Sequence, residues 1–174
     1  MKLIAIFSLV VMAAGTLMAK DAPLPTVKSV DLKRYQGRWY DIAREPAWFQ
    51  NECERSTATY TLRSNGTVGV WNECVTHEGK TKRITGTATA VDASHSKLVV
   101  QFDNFAGKIG LAKGDYWILY LDPGYQTMVV GTPNRKYLWI LAREPKLPPG
   151  RYAALVKVAQ SLGFDTSRLI RDKW

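Results

Sequence analysis

The chain of 174 residues carries 24 Lys or Arg against 15 Asp or Glu, a formal charge of +9, and its length suits one domain around one core. The basic residues are scattered, with no run of about five or six. The excess therefore reads as solvated surface and excludes nucleic acid as the expected partner.

Lys2 is followed by residues 3–19 without a charge, rich in Leu, Ile, Val and Ala, which reads as a secretory signal peptide. A membrane anchor is the alternative. The strongly apolar part stops near Ala14, however, short of the ~20 residues a spanning helix needs. Cleavage is expected after Ala19, although Leu17 is bulky for the third position back; this leaves residues 20–174 as one domain with a formal charge of +8 once Lys2 is gone. No Cys lies near the cut to carry a lipid anchor, so release in soluble form, to a periplasm or the exterior, is expected.

From Trp39 onward the sequence predicts short β-rich segments between turn residues, one helical pattern near the end and nothing helical in between. Residues 39–44 form the first strand. In the second, 56–63, Ala58, Tyr60 and Leu62 alternate with Thr57, Thr59 and Thr61. Ser64-Asn65-Gly66 makes a tight hairpin, because Asn and Gly tolerate positive φ, and 68–74 returns as the third strand. Residues 82–91 and 97–102 follow, with Gly86 marking a bend or bulge. After a glycine-bearing loop, 104–114, come 115–121, 126–131 and 137–143, which completes eight strands.

Lys146-Leu147-Pro148-Pro149 cannot continue a sheet, and beyond it Tyr152, Leu155, Val156, Ala159 and Leu162 recur with helical spacing. Gly163 stands where a left-handed cap is wanted, with Phe164 placed for the accompanying apolar contact. Eight such strands can form two packed sheets or a closed up-and-down barrel. Meander connections favour closure, which also removes exposed edges. The expected fold is all-β: an eight-stranded antiparallel barrel with one C-terminal α-helix packed on its outside.

Cys53 and Cys74 are the two cysteines; in an exported chain they invite a disulfide, the alternative being two buried free thiols. Their separation fits neither a zinc nor a CxxC site, and no metal or cofactor is expected. No GxSxG elbow, HExxH, Walker loop or GxGxxG is present, and Gly107, Gly110 and Gly114 have the wrong spacing to cradle phosphate. His77 and His95 fall in predicted turns, and Asp41 and Glu45 have no visible partner arrangement, so no catalytic set is expected.

Residues 30–44 read VDLKRYQGRWYDIAR, and ATYTLRSNGTVGVWNEC, LYLDPGY, YLWILAREP and LGFDTSRLI follow in order. This series resembles the lipocalins, with the Gly-x-Trp signature at Gly37 and Trp39, and in particular their bacterial outer-membrane branch. The resemblance implies that Trp39 fills the closed end of a barrel and that Arg143, at the end of the last strand, packs across it, with Asp122 in a second motif. It also implies a Cys pair at these positions. Many members of that branch carry a lipid-anchoring Cys that is lacking here, so attachment to an outer membrane is less expected than peripheral contact.

The resemblance turns Ala58, Tyr60 and Leu62 inward. Alternation then carries Val68, Val70 and Asn72, Val100 and Phe102, Tyr116, Ile118 and Tyr120, and Tyr137, Trp139 and Leu141 to the interior. The ligand-lining set is accordingly Ala58, Tyr60, Val70, Asn72, Phe102, Tyr116, Ile118, Tyr120, Tyr137 and Trp139, its polar tips orienting a head group. A carrier of a small hydrophobic ligand, a fatty acid or lysophospholipid, acting in the cell envelope is expected. The alternatives are a protein-binding or inhibitor barrel, and an enzyme built on a cavity thiol, which would need Cys53 or Cys74 free. Monomer and homodimer are both left open.

Overall fold

The computed structural model describes residues 23–105, 108–109 and 112–174. The expected signal segment, 1–19, lies outside them, as do Gly107 and Gly110. Eight strands run β1 (Gly37–Arg44), β2 (Cys53–Leu62), β3 (Val68–Thr76), β4 (Thr81–Ala90), β5 (Lys97–Phe102), β6 (Lys113–Leu121), β7 (Thr127–Gly131) and β8 (Leu138–Ala142). Each pairs antiparallel with the next in sequence, and β8 returns to β1, Tyr40 opposite Ala142 and Arg44 opposite Trp139, so the sheet closes into a barrel. The small hairpin of Asn104–Phe105 with Lys108–Ile109 lies in the loop after β5.

Two apolar layers follow from strand alternation. The inner one holds Trp39, Ala58, Tyr60, Val68, Val70, Ala88, Leu98, Val100, Ile118, Met128, Val130 and Leu141. The outer one packs Ile42, Ala43, Leu119, Val129, Leu138 and Ile140 against helix α2 (Pro149–Ser161) through Leu155 and Ala159. The helix ends as its sequence requires. Gly163 adopts φ +83°, its N–H donates to Gln160 O at 2.9 Å and that of Phe164 to Ala159 O at 3.2 Å, a Schellman cap, with Phe164 buried beneath it.

The Asn65-Gly66 hairpin forms as expected: Gly66 has φ +82° and Asn65 Oδ1 accepts the Thr67 N–H at 3.1 Å. Gly86 needs correcting. The pairing of β4 shows no register shift there, so it is not a bulge; a Cβ would stand 2.6 Å from Gln101 O, and the glycine permits that close approach.

Three short elements were not expected. Helix α1 (Leu32–Tyr35) is capped by Asp31, whose side chain accepts the N–H groups of Lys33 and Arg34. Its Leu32 and Tyr35 are buried against the barrel end. A single 3-10 turn, Trp48–Gln50, crosses the β1–β2 loop, where nothing helical was expected. The last strand, β9 (Ile170–Arg171), pairs with Ala43 and Arg44 where β1 has parted from β2. Beyond it the Asp172 N–H donates to Ile42 O and the Lys173 N–H to Glu54 O, so the C-terminus zips that seam. Among the described residues no helix is long and apolar enough to cross a membrane.

Candidate ligand-binding site

One end of the barrel is sealed. Trp39 is fully buried, and its indole N–H donates to Tyr35 O at 3.0 Å. The Arg143 guanidinium lies 3.9 Å from the Trp39 ring centroid and donates to the carbonyls of Arg38 and Arg34 (both 2.9 Å), Tyr35 and Tyr125 (both 3.2 Å). One cation thus ties together α1, β1 and the β6–β7 turn. Gly37, at φ +95°, leaves room for it: a Cβ there would meet Arg143 Nη1 at 3.2 Å. Asp122 organises the adjacent turn. Its oxygens accept the N–H groups of Gly124, Gln126 and Thr127 and the Thr127 hydroxyl. Burial works to raise its carboxyl, but these bonds outweigh that and hold it below the usual carboxylate range. Val27 and Val30 strap the same end through Ile118 O and Ser94 O.

The opposite end is rimmed by rings. Phe49, from the β1–β2 loop, meets Tyr137 at 5.4 Å and Trp139 at 6.5 Å between centroids, and Tyr137 meets Trp139 at 6.0 Å. Trp48 beside them is 64% exposed. Trp139 Nε1 donates to Gln50 Oε1 at 2.9 Å, which fixes the loop against the barrel wall. The disulfide Cys53–Cys74 (Cα–Cα 5.5 Å) joins β2 to β3 near this rim, and it consumes both thiols that a cavity-thiol enzyme would need. Cys53 is the first residue of β2, a little further into the sheet than its expected place in the preceding loop.

Between the two ends, the expected wall is largely where alternation put it. Ala58, Tyr60, Val70 and Ile118 are buried in the inner layer; Phe102, Tyr116 and Trp139 pack against it while only partly buried. Tyr137 stands at the rim. The hydroxyls of Tyr60 and Tyr35 meet that of Tyr116 at 2.8 and 3.0 Å, and burial pushes all three phenols up, Tyr60 to about 12. Tyr120 is a correction: it packs with the outer layer. A register shift between Ile118 and Tyr120 puts Leu119 and Tyr120 both outside and returns only Leu121 to the interior.

Sequence reasoning missed Asp41 as an interior group. It lies two residues beyond the inward Trp39 and opposite the inward Leu141, and it is 3% exposed. Strict period two from Trp39 would have found it. Burial pushes its carboxyl up to about 7, against the pull of Arg44 and a hydrogen bond from Gln50. Arg44 itself pairs with Asp172, which also accepts the Ser56 N–H at 2.7 Å, and donates to Cys53 O at 2.7 Å. A surface groove of about 570 Å³ is lined by Thr87, Thr89, Val99 and Gln101. These positions alternate with the inward Ala88 and Val100, so the groove lies on the outside of the barrel, and it reaches Phe102, Asp103 and Lys113 at its edge. Among the described residues no group of three metal-ligating side chains occurs.

A closed eight-stranded barrel, sealed at one end by a Trp–Arg pair and rimmed by rings at the other, is the lipocalin architecture. The chain belongs to the lipocalin-like domain family, whose model matches residues 30–173. It is 41% identical to temperature-induced lipocalin-1 of Arabidopsis thaliana, covering 87% of this chain and 83% of the relative. It is 34% identical to the outer membrane lipoprotein Blc of Escherichia coli K12, covering 91% and 90%, and 31% identical to mouse apolipoprotein D, covering 83% and 77%. Among solved structures, insecticyanin of the tobacco hornworm superposes with a TM-score of 0.71 at 19% identity, covering 88% of this chain and 85% of that one. The bacterial relatives agree with the branch its sequence resembles. Lipocalins are binding proteins for small hydrophobic ligands.

Proposed function

We propose that this lipocalin is an exported carrier of a single-chain lipid, a fatty acid or lysophospholipid, serving the cell envelope. The observation that carries the reading is that Asn72, Tyr116 and Trp139 stand on the inner wall yet remain partly exposed, whereas a filled core would bury them. Such partial exposure is what a lumen open at the ringed end would give. Apolar ligand surface moved into such a space gains about 25 cal/mol per Å², enough for micromolar binding by an acyl chain that buries some hundreds of Å². The disulfide fits an oxidising compartment, and the name of the Escherichia coli relative fits an envelope role.

Titration with a fluorescent fatty acid should saturate at one site per chain, and Trp139→Ala should weaken binding about tenfold or more while costing less in stability. A Trp139→Ala protein that is destabilised yet binds normally would assign that ring to packing alone. The exposed Trp48 beside Phe49 favours a second reading, capture of a protein partner at the rim; absence of saturable lipid binding would favour it.

A further inference from the structure

Buried polar atoms are almost always hydrogen-bonded, so each exception asks for a partner. Among the described residues four buried side-chain oxygens have none: Asp41 Oδ1, Asn72 Oδ1 and both of Glu45. Glu45 is accounted for, because Arg168 approaches it at 3.6 Å. Asp41 and Asn72 belong instead to the barrel interior. Asn72 of β3 stands opposite Ala58 of β2, Ala58 opposite Trp39 of β1, and Asp41 lies two residues further along β1. The two orphan acceptors thus sit at inward positions of β1 and β3, two strands apart and offset by two residues, within reach of a head group only as the buried side chains over them give way.

We propose that Asp41 and Asn72 form the head-group end of the lipid site and select a neutral, hydroxyl-bearing head, such as the glycerol of a monoacylglycerol, inserted head first. This rests on the reading of the barrel as a carrier of a single-chain lipid, and it replaces the fatty acid or lysophospholipid of that reading by a lipid with an uncharged head. A hydroxyl donates to either orphan oxygen and can still accept from the Tyr35–Tyr60–Tyr116 cluster. A carboxylate can accept from that cluster too, but it brings no donor to either orphan oxygen and sets its charge near the Asp41 carboxyl. It cannot turn to Arg44 for donors, because that guanidinium is already engaged by Asp172, Cys53 O and Gln50 O. An ammonium head has donors for the orphan oxygens but no acceptor for a hydroxyl of the tyrosine cluster, and it must be desolvated as a full charge. On the rim side of Asp41 stand Gln50 and Trp139, hydrogen-bonded to each other, so a head group reaches the carboxyl by parting one side-chain contact without breaking a strand pair.

The test is displacement of a bound fluorescent acyl probe from the full protein at pH 7.5 by 1-monooleoylglycerol, oleate and oleylamine, which share one tail. The glycerol lipid should compete at least tenfold more strongly than either charged lipid. Asn72→Leu should shrink that advantage below threefold and leave oleate unchanged. Asp41→Asn, which adds an amide donor, should improve oleate. Oleate or oleylamine matching the glycerol lipid, or a preference that survives Asn72→Leu, would overturn the proposal while leaving the carrier reading intact. If the probe itself finds no site, the carrier reading fails and this inference fails with it.

Discussion

Arg143 should be the most costly surface-reachable side chain to remove, because one guanidinium serves the Trp39 ring and four carbonyls. In Arg143→Met the stem length is kept and the cation lost. The ring contact is worth about 1 kcal/mol at a partly desolvated site. Two of the carbonyls, on Arg34 and Arg38, face solvent and rehydrate at little cost. Those on Tyr35 and Tyr125 are partly buried, at about 1.5 kcal/mol for each charged bond. Tyr35 O keeps the Trp39 indole N–H at 3.0 Å, which limits the loss there. The total is about 3 kcal/mol, or a fall in Tm of roughly 6–12 °C for a domain of this size. Arg143→Lys keeps a charge over the ring but cannot span carbonyls on three segments, so it should recover about a third of the loss. Urea unfolding and thermal melts measure both variants. A Met variant within about 1 kcal/mol of the parent, or a Lys variant equal to it, would refute the idea that the fork geometry of Arg143 seals this end.

Two further outcomes follow from buried groups. Replacing Cys53 and Cys74 together by Ser should cost about 3 kcal/mol through the freed chain entropy of the 21-residue separation, read as a lower urea midpoint; an unchanged midpoint would place the constraint elsewhere. Stability should also fall as pH rises from about 4 to 7. Asp41 titrates near 7 in the folded chain and near 3.8 unfolded, so in that window the native state holds the extra proton and ionisation is penalised by up to about 4 kcal/mol. Glu45, raised by burial, acts in the same direction. The depressed carboxyls of Asp122, Glu73, Glu52 and Asp92 contribute stability that is lost only as pH falls through still lower values. Asp41→Asn should flatten the slope between pH 4 and 7, and an unaltered slope would exclude Asp41 as its main source.

The strands were legible because their signal is local. Alternation in 56–63 and the Asn65-Gly66 turn set which residues share a face, the resemblance says which of the two faces is inward, and meander connections favour closure. The sealed end was legible only through the likeness of Gly37, Trp39 and Arg143 to a known family, since no spacing rule brings Arg143 over Trp39 across 104 positions. What stayed hidden has a common cause. Helix α1 is four residues long and β9 two, below the length at which a period can be recognised, and both are held by tertiary bonds. Asp41 was passed over because a carboxylate in an alternating strand is ordinarily assigned to solvent; here the strand's own period turns it inward.

The misplacement of Tyr120 shows what alternation cannot see and what the fold gains there. A strictly alternating barrel offers a helix only every second residue of each strand. In β1 a register shift between Asp41 and Ala43 places Ile42 and Ala43 both in the outer layer, and in β6 the shift after Ile118 does the same for Leu119 and Tyr120. Both doubled positions contribute to the face on which Leu155 and Ala159 of α2 are buried. Ile42, Ala43 and Leu119 thus concentrate apolar area under a helix whose own pattern has one apolar face to bury. Each bulge also redirects the residue after it. Leu121 returns to the lumen, and β1 turns far enough from β2 to admit β9, which brings Asp172 to Arg44. The irregularities that defeat period-two reading are therefore what let a closed barrel carry its helix and admit the C-terminal strand that closes the seam where β1 leaves β2.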